Sequence, residues 1–345
     1  MSFKIKSNKF VLAPMTRCRS LKNGCTSKFM YNFYKKKVEE GFKFIISESC
    51  AINDKEALGY LNSSQFFNSK HSESWKQIIN VIKKNKAKIF IQLFHAGRLT
   101  VKDITKSIPL APSPIRPYNI ESFWRPKINN KICHFQNKKM FLKPNQLSKK
   151  NIENIIYRFG DCCSLAEKTG FDGVEIHGAH GYLIHLFCSK DTNHRTDKYK
   201  AENFIFIKEL LEECKHKLKN IPLSYRLSLH MVDNPYIKYD HQKLDFVKLI
   251  KILENSGIDF FHCSEIEAGK PMFGSKISLL DLIKKNSKKP IISCGKINSY
   301  SKVKELSNIG ADYFAIGRLG LSNDKIIYKL INNKPINDFS YKKYF

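Results

Sequence analysis

Short runs of β-branched and aromatic residues alternate with longer stretches of helical periodicity along the whole chain. The pattern predicts strands at Phe10–Ala13, Phe44–Ser47, Lys88–Leu93, Gly173–His177, Leu223–Leu229, Phe260–Cys263, Pro290–Ser293 and Asp312–Ile316. Between and after them it predicts helices near 27–38, 73–85, 149–169, 201–219, 241–256, 277–286, 299–309 and 323–332. Eight strand–helix pairs in regular succession are what a (β/α)8 TIM barrel of the α/β class requires. Near-continuous apolar strands such as Ile89–Ile91 and Ile291–Ile292 suit a parallel sheet buried on both faces. No linker or repeat divides the chain, so a single domain over residues 1–345 is expected.

One segment breaks the rhythm. Residues 97–147, between the third strand and the third helix, hold Pro109, Pro112, Pro114, Pro117, Pro126 and Pro144. That is too many prolines for an interior element and too long a stretch for an ordinary connection. A Pro-rich loop or small hairpin capping the barrel mouth is expected.

The 345 residues carry 60 Lys plus Arg against 31 Asp plus Glu, a net charge of +29. Such a balance ordinarily points to nucleic acid or an anionic membrane. Only nine of these cations are arginines, however, and the lysines are spread over predicted helix faces in an Asn- and Ile-rich chain. This reads as the composition of an AT-biased genome, and no nucleic-acid partner is expected. The ten cysteines contain no C-x-x-C pair, so neither a thiolate zinc site nor a local iron–sulfur run is supported, and no metal is expected. No apolar window is long enough to span a membrane and the first residues lack a signal-peptide stretch, so a cytoplasmic protein is expected.

In this fold reactive groups come from the C-terminal ends of strands and the loops after them. ISCG (292–295) and AIGR (315–318) each put a glycine at the exit of adjacent strands seven and eight. Backbone N–H groups there can approach an anion closely, and Arg318 can add a charge-assisted contact, so a phosphate is expected. VEIHGAHGYLIH, after strand four, sets two imidazoles three residues apart, but Gly178 and Gly181 argue against a helical metal pair. His177 and His180 serve better as two donors polarising one carbonyl oxygen, with the Tyr182 phenol as a nearby proton source.

APMTR (13–17), SES-CA (47–51), IQLFHAGR (91–98), APSPI (111–115), FDGVEIHGAHGYLIHLF (171–187), NHRTDKY (193–199), ISCGKI (292–297) and ADYFAIGR (311–318) together resemble the old yellow enzyme family of flavin-dependent ene-reductases. The resemblance spans about residues 8 to 330. It implies a barrel that holds FMN, accepts hydride from NADPH or NADH, and passes it to an activated alkene, an α,β-unsaturated carbonyl compound. It also implies that Ala13, Pro14, Met15 and Thr16 line the flavin, with the Thr16 hydroxyl donating to its C4 oxygen. Ala51 would meet the ring through its backbone, and Gln92 would pair with the pyrimidine edge. Arg226 would face N1 and the C2 oxygen, and Gly295, Gly317 and Arg318 would hold the phosphate. His177 and His180 would bind the substrate oxygen, and Tyr182 would protonate the neighbouring carbon.

After Tyr199 the chain departs from the family's pattern, reading KAENFIFIKE without the usual Gly-Gly-Ser stretch and Asn-Arg pair. That leaves a homo-oligomer open. Two rival functions are weighed: a flavin barrel acting on tRNA, of the dihydrouridine synthase type, and a non-catalytic basic barrel. The first lacks its Asn-x-Gly-Cys-Pro motif here. His95 is expected to pack or cap, Cys18 to lack a base, Glu48 to serve as a structural hydrogen-bond partner and Trp75 to pack a helix. Trp124, in the Pro-rich excursion, is a candidate lid aromatic.

Overall fold

The computed structural model describes residues 5–100, 105–118, 141–234, 243–272 and 274–340, together with the backbone of 124–128 and 131–134. Eight parallel strands close into a barrel. They are β1 (Phe10–Leu12), β2 (Phe44–Ala51), β3 (Lys88–Phe94), β8 (Gly173–His177), β9 (Leu223–Leu227), β10 (Phe260–Ser264), β11 (Ile291–Cys294) and β12 (Tyr313–Ile316). The sheet closes where β1 pairs β12, with Phe10 opposite Phe314. Each predicted strand is present to within a few residues.

The helices follow the same order: α1 (Lys28–Glu39), α2 (Ser69–Lys84), α3 (Lys149–Thr169), α4 (Leu183–Cys188), α5 (Ile205–Lys217), α6 (Lys243–Asn255), α7 (Leu279–Asn286), α8 (Tyr300–Ile309), α9 (Arg318–Ser322) and α10 (Ile326–Ile331). Side-chain caps fix several starts. Ser27, Asn68, Ser148, Ser278 and Ser299 each accept a first-turn N–H, as short polar residues at N-caps do. Asn68 carries α2 four residues further back than its apolar periodicity predicts.

The main core lies between sheet and helices, with Trp75 fully buried against Tyr34 and Phe171 as helix packing. A second core fills the barrel. Inward side chains recur every second residue, and at the N-terminal end they form an aromatic plug of Phe44, Phe90, Phe260 and Tyr313. A Cβ at Gly173 would stand 2.4 Å from the Phe90 ring, so only glycine admits that ring. Further along β3, β8, β9 and β10 the inward positions turn polar, at Gln92, Glu175, Arg226 and His262, while Ile46 and Ala315 keep β2 and β12 apolar. The barrel floor is apolar and its mouth is charged.

The Pro-rich excursion is tied at its base by a two-stranded parallel pair, β4 (Leu110–Ala111) with β7 (Asn145–Gln146). Within it β5 (Trp124–Ile128) and β6 (Lys131–His134) form an antiparallel hairpin, as the proline pattern anticipates. The Trp124 side chain, and the aromatic residues beyond 340, lie outside the described residues.

Candidate functional site

A cavity of about 560 Å³ opens among the C-terminal ends of β1, β10, β11 and β12. Eight of the residues singled out from the sequence line it: Ala13, Pro14, Met15, His180, Arg226, Gly295, Gly317 and Arg318. Thr16, Ala51, Gln92, His177 and Tyr182 are not among its lining and stand on or after the adjoining ends of β1, β2, β3 and β8.

Gly295 has φ 140°, and a Cβ there would stand 2.4 Å from the Glu265 carbonyl oxygen. The loop after β10 therefore crosses close over the exit of β11, where only glycine keeps the approach open. Gly317 precedes the short helix α9, whose first residue is the exposed Arg318. Lys296 adds a third cation to the lining, after Arg226 and Arg318. The segment Asp338–Phe339 also reaches this cavity, a contribution that no sequence signal marked.

Arg226 lies in register with His177 on one side and His262 on the other. It is buried, its Nη2 donates to Ser264 Oγ at 2.9 Å, and its Nε has no hydrogen-bond partner among the described residues. An orphaned guanidinium donor lining a cavity calls for a ligand acceptor. Ser264 Oγ also lies 3.0 Å from His180 Nε2. The serine oxygen has lone pairs for both neighbours, so the contact ties the His180 ring to Arg226 whichever of its nitrogens carries the proton. His177 Nδ1 accepts the Ala179 N–H at 3.4 Å, which leaves Nε2 as its donor. Burial, and then the Arg226 charge, hold both imidazoles well below the usual histidine range, so each is neutral with one N–H to give.

The histidine rings are 5.4 Å apart, and Tyr182 packs 5.0 Å from His177 and 4.5 Å from Phe94. His180 adopts a left-handed conformation, φ 63°. A non-glycine residue holds it only under constraint. The constraint comes from its N–H on Ser228 Oγ at 2.9 Å and its carbonyl accepting Val232 N–H at 3.1 Å.

Behind this layer runs a fully buried polar chain. Ser49 Oγ donates to Gln92 Oε1 at 2.6 Å, Gln92 Nε2 donates to Glu175 Oε1 at 2.7 Å, and Glu175 Oε2 meets His262 Nδ1 at 2.8 Å. Burial alone would depress His262, but Glu175 more than offsets it and its pKa stands above the usual value. Burial likewise opposes ionisation of Glu175, and His262 more than compensates. Cys294 lies beyond: burial pushes its thiol up, and His262 with Arg226 bring it below the usual range. The glutamate fixes which way round the Gln92 amide sits. Ala51, at the end of β2, gives its N–H to Ser64 and accepts from Phe66, so both of its backbone groups already have partners.

The residues expected to be structural are so placed. His95 is buried, burial lowers its pKa to about 3, and Nδ1 accepts the Gly97 N–H. Glu48 accepts from Ser64 Oγ at 2.8 Å, and burial pushes its carboxyl up to about 7. Because the folded protein ionises Glu48 less readily than the unfolded chain, stability present below about pH 4.5 is lost as pH rises towards 7. Glu48→Gln keeps the acceptor and should flatten that stretch, with a gain at pH 8 on the order of 3 kcal/mol. Urea unfolding from pH 4.5 to 8 checks it; parallel curves for both proteins would refute it.

A cavity lined by Arg226, Lys296 and Arg318, with the neutral imidazole of His180 among them, suits a flavin nucleotide, which sets this chain among flavin-dependent barrel oxidoreductases. Comparison with known proteins bears this out: the profile of the NADH:flavin oxidoreductase / NADH oxidase family matches residues 2–337. The chain belongs to that family, and its resemblance to old yellow enzyme holds. An NADPH dehydrogenase of Clostridium acetobutylicum is 30% identical over 342 residues, covering 96% of this chain and 92% of its own length. An NADH oxidase of Thermoanaerobacter brockii is 27% identical over 90% of this chain, which spans 46% of that larger protein. The old yellow enzyme homologue from Zymomonas mobilis shares the fold, with a TM-score of 0.81 over 98% of this chain and 92% of its own, at 24% identity. No described helix is long and apolar enough to cross a membrane. The tRNA-modifying and non-catalytic readings are not favoured.

Proposed function

We propose that the chain is an FMN-dependent ene-reductase that takes reducing equivalents from NADPH or NADH and delivers them to an α,β-unsaturated carbonyl compound. The observation that carries the reading is the neutral His177–His180 pair set beside Tyr182 and Arg226. Ala13, Pro14, Met15, Thr16 and Ala51 would lie along the flavin, Gln92 and Arg226 at its pyrimidine edge, and Gly295, Gly317 and Arg318 at its phosphate. FMN held there would supply the hydride that the alkene carbon remote from the carbonyl accepts.

The His177 Nε2–H and the one N–H of the neutral His180 ring polarise the carbonyl oxygen, the task for which neutral donors are suited. Tyr182 Oη gives a proton to the carbon next to the carbonyl, as a positioned general acid. Arg226 stabilises negative charge at the N1 and C2 oxygen edge, where its planar fork fits better than a lysine would.

The purified protein should be yellow, and the chromophore released on denaturation should have the mass of FMN. Recovery of FAD, or a colourless protein that takes up no flavin, would overturn the reading, because Gly295, Gly317 and Arg318 form one phosphate site.

A further inference from the structure

We infer that Tyr60 is the proton relay of this site, returning to Tyr182 the proton that Tyr182 gives to substrate. The inference rests on the ene-reductase reading, since an alkene acceptor is what draws a proton from Tyr182.

Tyr60 belongs to the loop between β2 and α2, and its hydroxyl is hydrogen-bonded to that of Tyr182. Tyr182 is buried at 7% exposure, edge-on to Phe94 and against the ring of His177. Tyr60 is half-buried and packs on the same small apolar cluster as Tyr182, with Phe94, Leu99 and Phe141. The pair therefore leads from the buried acid towards solvent.

The loop that carries Tyr60 is anchored on both sides. Asn53 Oδ1 accepts the N–H groups of Lys55 and Ala57 at 3.1 and 2.9 Å, and the Ala57 carbonyl accepts Ala96 N–H at 3.0 Å. Ser63 Oγ donates to the Tyr60 carbonyl at 2.9 Å, and the Asn62 carbonyl accepts Ser20 N–H at 3.2 Å. Held at both flanks, the phenol is positioned on its partner.

The proton balance is simple. The Tyr182 O–H bond breaks as the new C–H bond forms, and its electron pair stays on Tyr182 Oη. The Tyr60 O–H then breaks, its proton restores Tyr182, and water at the open side restores Tyr60. One solvent proton is consumed for each alkene reduced.

Tyr60→Phe removes the hydroxyl and keeps the ring. The holoenzyme, fully reduced and supplied with several equivalents of NADPH, is mixed anaerobically with excess 2-cyclohexenone in weak buffer containing a pH-indicator dye. The first equivalent of alkene should be reduced within about twofold of the normal rate, and later turnovers should slow at least about tenfold. Proton uptake seen by the dye should lag behind the first turnover, and millimolar acetic acid should restore the later ones. Equal slowing of first and later turnovers would make Tyr60 merely a support for Tyr182 and overturn the relay, as would no slowing at all. The native holoenzyme and Tyr182→Phe run alongside separate the two failures. If the native holoenzyme reduces no enone, the ene-reductase reading itself has failed; if it does, and either Tyr182→Phe reduces the enone normally or Tyr60→Phe is not slowed, the relay alone has.

Discussion

Tyr182→Phe should leave reduction of the bound flavin by nicotinamide close to its normal rate and slow reoxidation by an enone about 10²–10⁴-fold, the usual worth of a positioned general acid. The two half-reactions separate because hydride transfer from nicotinamide needs a stacking surface and no proton donor, whereas saturating the alkene needs a proton on the carbon beside the carbonyl. Tyr182 is well placed to stay inert in the first step, being packed by Phe94 and His177 and hydrogen-bonded to Tyr60. Reoxidation by oxygen or a quinone, which does not draw on this proton, should persist. His177→Ala and His180→Ala should instead weaken binding of enones and of phenols that mimic their oxygen, read as fading of the phenol charge-transfer band. Stopped-flow measurement of each half-reaction checks the split. Equal damage to both would make Tyr182 structural.

Arg226→Ala should strip the protein of much of its flavin and lower the reduction potential of what remains. A hydrogen bond to a charged group contributes roughly 1.5–3 kcal/mol, or about ten- to a hundredfold in affinity. The variant also removes the charge that, after burial, most depresses His177 and His180. Both imidazoles should then protonate at higher pH than in the native protein, so enone binding becomes pH-dependent in a range where it was flat. Arg226→Lys should keep part of the potential and lose the fit of the planar fork. Flavin content after dialysis and a dye-equilibrated potential are the readouts; if neither moves, Arg226 does not meet the flavin edge.

The barrel was legible because its two periodicities are clean. Strand interiors such as Ile89–Ile91 are apolar on both faces, and the helices between them carry 3.6-residue stripes, so all eight pairs stand close to where the pattern puts them. Errors lie at ends decided by single side chains. Asn68 caps α2 early, and Phe204, in a left-handed conformation, delays α5 to Ile205. The helices α4 and α9 are too short, at six and five residues, to leave a periodic signal.

Candidate site residues on strand ends can be named from the sequence because the fold says where to look. The partners behind them were missed for the opposite reason. Glu175 and His262 are 87 residues apart and meet only when β8 and β10 flank β9. A signal existed: E-x-H on β8 and F-x-H-x-S on β10 place polar residues at inward positions of strands that should be apolar throughout. Tyr60 sits in a loop, where no period marks a side chain's direction, and its pairing with Tyr182 spans 122 residues.

The central claim is that an activated alkene is the acceptor. Anaerobic mixing of the native holoenzyme with one equivalent of NADPH should bleach the visible flavin band, and 2-cyclohexenone should then restore it, with one equivalent of cyclohexanone formed. A band that nicotinamide bleaches and oxygen restores, but that stays bleached before a panel of enones, would contradict the account.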